Sequence, residues 1–86
     1  MKFYLLLYRE GILIIYTVVK TDSGSGFNVF CGTIKNRQRK LLSRKILRFT
    51  NLISCFCETL EATGDINSLA REIVGKESLD YKLIFE

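Results

Sequence analysis

Two apolar runs near the N-terminus, residues 2–8 (KFYLLLY) and 12–20 (ILIIYTVVK), constrain this fold more than any other feature. Neither approaches the ~20 residues needed to cross a bilayer as a helix. Both are dense in β-branched, aromatic and leucine side chains, the composition of buried strands. The residues between them, Arg9-Glu10-Gly11, suit a tight hairpin with glycine in the left-handed region. Both strands are apolar on two faces. Phe3, Leu5, Leu7, Leu13, Ile15 and Val19 are expected on one; Tyr4, Leu6, Tyr8, Ile12, Ile14, Tyr16 and Val18 on the other. A chain of 86 residues has little material to cover both. An open face of tyrosines and aliphatics is a patch that monomers avoid. The expectation is a homodimer that buries Tyr4, Tyr8 and Tyr16. The alternatives are strands packed between helices or a sheet curled over itself and, more weakly, base stacking on the tyrosines.

The rest of the chain completes one domain, residues 1–86. A Ser-Gly loop at 21–26 (TDSGSG) precedes a third strand at 27–34 (FNVFCGTI), where Gly32 suggests a bulge or a close backbone approach. From residue 35 the period changes. Leu42, Ile46, Phe49, Ile53, Phe56 and Leu60 recur at alternating spacings of four and three, an apolar stripe on a helix. As one piece, 36–62 would run ~40 Å, longer than so small a domain is wide. A break at Thr50-Asn51, or docking of the helix end on a second subunit, is therefore expected. Gly64 ends this helix, Asp65 caps a second at 66–74, and Gly75 closes it. Residues 79–86 (LDYKLIFE) alternate as a half-buried strand. The order is βββααβ. The expected fold is α+β, a four-stranded, mainly antiparallel sheet with two helical segments on one face.

Charge is unevenly distributed. The net charge is +4, yet residues 35–48 carry seven cations and no acid. On a helix, Arg37, Lys40, Arg44 and Arg48 fall within an ~80° arc facing away from the apolar stripe, with Arg39 and Lys45 flanking it. Cations this close repel one another, and an anion on that face would relieve the repulsion. Phosphate contact with RNA or DNA, or docking on an acidic protein surface, is the functional expectation; a solvated surface is the plain alternative. No base-reading set accompanies the arc, so sequence specificity is not supported.

Other chemistry is limited by what the chain lacks. With no histidine, the commonest general base and a common zinc ligand are both missing. No nucleophile has a base to activate it, so no catalytic residue and no enzyme is expected. Three cysteines are too few for a disulfide scaffold. On the helix Cys55 and Cys57 lie ~200° apart and cannot share a metal there, and no cofactor is expected. On that reading Cys31 and Cys57 fill core space, while Cys55 lies near the basic arc. The glycines of the Ser-Gly loop do not open a helix, so the loop is a poor phosphate cradle. No export signal is evident at the N-terminus, and unpaired thiols suit a reducing cytoplasm.

Small size, basic character and the absence of catalytic apparatus resemble the general style of phage and mobile-element accessory proteins. The first functional expectation is a small, non-enzymatic nucleic-acid-binding protein using a basic helix on the phosphate backbone. The second is an inhibitor or adaptor whose basic helix docks on an acidic surface of a host protein. A structural homodimer is the third.

Overall fold

The structure is a computed structural model and describes residues 1–35, 54–61, 64–75 and 81–85. Strand β1 spans Lys2–Arg9, β2 Ile12–Lys20 and β3 Gly26–Lys35. Strand β4 spans Cys55–Glu61, helix α1 Ile66–Val74 and strand β5 Tyr81–Phe85. The five strands form one sheet in the order β4-β3-β2-β1-β5, with every neighbouring pair antiparallel.

Local chemistry explains most of these elements. The β1–β2 loop is two residues long, because Arg9 already pairs with Ile12. Its central residues, Glu10 and Gly11, have φ of 47° and 78°. Two positive φ values match the right-handed twist of the flanking strands. The β2–β3 loop is held by its own polar groups. The Gly24 amide donates to the Thr21 carbonyl at 2.9 Å, and the Gly26 amide to the Thr21 hydroxyl at 3.2 Å. Helix α1 starts as its sequence suggests: Asp65 accepts from the Ser68 amide at 2.8 Å. It stops at Gly75, whose φ is 86°.

Both faces of the sheet carry a buried cluster. On one, α1 sets Leu69, Ala70 and Val74 against Phe3, Leu5, Val18, Phe27 and Val29. On the other, Tyr4, Leu6, Leu13 and Ile15 pack together, with Tyr8, Ile34 and Ile84 at the margin.

The fold differs from the expected one. The sheet has five strands, and α1 is the one helix among the described residues. Residues 55–61, expected at the end of a long helix, are β4 instead. A continuous helix over 36–62 is therefore excluded; the expected break at Thr50-Asn51 lies outside the described residues. The reason is competition for a strand edge. The outer edge of β3 offers backbone donors and acceptors, and 55–61 (CFCETLE) contains Phe, Thr and Cys that suit a pleated surface. Thr59 donates to Asn28 at 2.7 Å, and the Phe30 and Phe56 rings meet edge to face at 5.7 Å. A register shift beside Val29 and Phe30 leaves Cys57 as an extra residue in β4. This bulge, not Gly32, is where the β3 ladder is interrupted.

Candidate functional site

Pairing places side chains in rows across the sheet. Leu83, Leu5, Tyr16, Cys31 and Cys55 are successive partners and form one such row. Leu5 belongs to the cluster under α1, and Leu83 and Tyr16 pack against that cluster. The row therefore lies on the helix-bearing face. It runs from a fully buried leucine at the centre to an exposed cysteine at the β4 edge.

The bulge brings Cys57 to this row. The Cys57 thiol lies 3.7 Å from the Cys55 carbonyl oxygen, and Cys57 is near enough to Cys31 to raise its thiol's pKa. Cys31 is half-buried; Cys55 and Cys57 are exposed, and all three are free thiols. Burial pushes the Cys31 thiol above its ordinary pKa, and its neighbours Cys57 and Cys55 add to the shift. Burial likewise raises the Tyr16 phenol, with Cys31 and Cys57 raising it further and Arg9 opposing them. These causes agree with the register: one phenol and three thiols share a small, partly dry patch. Among the described residues, no group of three or more His, Cys, Asp or Glu side chains is arranged to hold a metal ion.

The cysteine expectations need correcting. Their premise was a helix through Cys55 and Cys57, which places the two thiols on different sides. In β4 they are two residues apart and share a face, as strand alternation requires. Cys57 is exposed rather than core filler, and Cys55 is not on a helix beside a basic arc. The missed signal was Cys-x-Cys read with a period of two, opposite a cysteine on a paired strand.

The tyrosines expected to form one patch are divided. Tyr4 pairs with Thr17, and Tyr8 with Leu13, so both lie on the face away from α1. Tyr16 pairs with Leu5 and faces the helix side. Tyr4 is only 3% exposed within the single chain, and the Lys2 amine stands 5.6 Å from its ring centroid. The basic positions Arg37, Arg39, Lys40, Arg44, Lys45 and Arg48 lie outside the described residues. Of the basic run, Lys35 is described, exposed at the end of β3.

No helix among the described residues is long and apolar enough to cross a membrane. No family model matches the chain, and no match was found among curated proteins or solved structures.

Proposed function

We propose that the chain is a small, non-enzymatic nucleic-acid-binding protein that meets phosphates through its basic segment. Arg37, Lys40, Arg44 and Arg48 are the main contacts, with Arg39 and Lys45 beside them. The observation that carries this reading is the run of seven cations without an acid at 35–48, in a chain whose other residues are net negative. Such a run is costly by self-repulsion and favourable against a polyanion.

Connectivity supports the reading. Residues 36–53 join β3 to β4, which are adjacent and antiparallel, so the segment leaves and returns toward one end of the sheet. Exposed Arg9 and Lys35 stand at that end, since both register with Ile12. They extend the positive field of the run; Glu10 in the adjoining turn offsets part of it. The proposed setting is a reducing cytoplasm, and the tyrosines form no part of the contact.

The test is a mobility shift against generic duplex DNA and RNA over a salt series. With ~4 phosphate contacts on a duplex, log K should fall against log salt with a slope of about −3 to −4, and about twice that for a dimer using two segments. The Arg44→Glu/Arg48→Glu variant should lose binding with its melting temperature nearly unchanged. If the wild type binds neither nucleic acid at low salt, the reading fails and an acidic protein surface becomes the partner to seek. If the double variant unfolds, these arginines are structural.

A further inference from the structure

We propose that Cys31 and Cys57 form a reversible disulfide site, closed by exchange with a small-molecule disulfide of the glutathione type. The geometry rests on two independent features. The β2–β3–β4 register sets Cys31 on the helix-bearing face beside Tyr16, with Cys55 opposite on β4. The β4 bulge then adds an unpaired residue, Cys57, on the same face as Cys55 and near enough to Cys31 to raise its thiol's pKa. β4 is the outermost strand beside β3 and is almost wholly exposed, so it has freedom to make the small shift that a sulfur–sulfur bond requires.

Exposure divides the roles. Cys57 is open to solvent and Cys31 is half-buried. In the first step the Cys57 thiolate attacks one sulfur of oxidised glutathione. The glutathione disulfide breaks, one glutathione thiolate leaves and takes up a proton, and a mixed disulfide stands on Cys57. In the second step Cys31 gives its proton to solvent and attacks the Cys57 sulfur, releasing the second glutathione. Two protein thiols have lost two protons and two electrons, and one glutathione disulfide has become two thiols. Burial holds the Cys31 proton more tightly than an ordinary thiol does, which suits it to resolve rather than initiate. The bond ties edge strand β4 to β3 and closes the chain around residues 32–56, which include the basic positions from Arg37 to Arg48.

The test uses the full chain, reduced and then equilibrated with oxidised and reduced glutathione. After alkylation and tryptic digestion, the peptide 21–35 should be joined to the peptide 49–71. Fragmentation should place the bond on Cys57 and the alkyl group on Cys55. The intact mass should fall by two hydrogens, and the melting temperature should rise by on the order of 10 °C, from the shortened unfolded chain. The Cys55→Ser variant should close as the wild type does. The Cys57→Ser variant, with an unchanged circular dichroism spectrum, should not. A bond from Cys31 to Cys55, a bond within the 49–71 peptide, lasting glutathione adducts, or no reaction would each overturn the assignment; mapping on the wild type needs no variant to fold.

Discussion

Strands β1 and β4 belong to one sheet but are held by different forces. β1 lies between β2 and β5, and Phe3 and Leu5 are fully buried, while Tyr4 and Leu7 are each 3% exposed. Desolvation on both faces fixes it, at roughly 25 cal/mol per Å² of apolar surface removed from water. β4 has β3 on one side, and only Leu60 among its residues is half-buried. What fixes β4 is its backbone ladder, the packing of Leu60 on the core, one aromatic pair and the Thr59–Asn28 hydrogen bond. The difference shows where this fold is stiff and where it can yield, and the three thiols lie on the side that yields.

Core truncation should break the symmetry between the two strands most clearly. Leu5→Ala should cost about 2–5 kcal/mol, since the cavity would open beneath α1. Phe56→Ala on β4 should cost less than about 1.5 kcal/mol, because the residue is 58% exposed and contributes chiefly the contact of its ring with Phe30. Urea unfolding of both variants measures the contrast. Equal losses would mean that β4 is as deeply anchored as β1.

A smaller effect should come from the seam between β3 and β4. Gly26 opens β3, and a Cβ built there would run into the backbone carbonyl of Leu60. A carbonyl in a paired strand cannot swing aside as a long side chain does. Gly26→Ala should therefore push β4 outward and cost about 1–3 kcal/mol. Hydrogen exchange should locate the loosening in β4 while β1 and β2 keep their protection. Uniform loss of protection would show that the sheet opens as one unit, contrary to the comparison.

The same contrast explains what the sequence disclosed. β1 and β2 are buried on both faces, so burial forced long apolar runs into their sequences, and those runs are readable without structure. Their pairing is a different matter. The two-residue turn sets Tyr16 opposite Leu5, and counting a third residue into the loop joins Tyr16 to the wrong face. The cap at Asp65 and the stop at Gly75 were legible because they are local chemistry. β4 was not legible, because little of it is buried and only Leu60 packs against a core cluster. Phe56 and Leu60, four apart, imitate a helical stripe, yet the bulge sends them to opposite faces: Phe56 pairs with Phe30 and Leu60 with Phe27. The thiol row followed the same course, since it depends on a strand that only pairing to β3 defines.

The smallest expected effect sharpens the comparison at the element that covers the central strands. The Asp65 carboxylate accepts from the Ser68 amide, and these hydrogen bonds to Ser68 hold its pKa below the ordinary carboxylate value. A folded value below the unfolded one means the carboxylate favours the folded state. That contribution is complete above the ordinary value near ~3.9 and is lost as pH falls through the lower folded value. Asp65 is fully exposed, so the gain is small and sensitive to salt. Asp65→Asn keeps an oxygen acceptor for the cap but removes the charge. The melting temperatures of wild type and variant should therefore differ slightly at pH 5 and converge toward pH 2. Asp65→Ala removes the acceptor as well and should stay below both over the pH range where the cap is charged. If α1 anchors the central sheet rather than β4, its loosening in the alanine variant should lower exchange protection in β1 and β2 before it alters the reactivity of Cys55 and Cys57. Thiol labelling that accelerates first would instead couple the helix to the edge strand, and the division between a stiff centre and a yielding edge would fall.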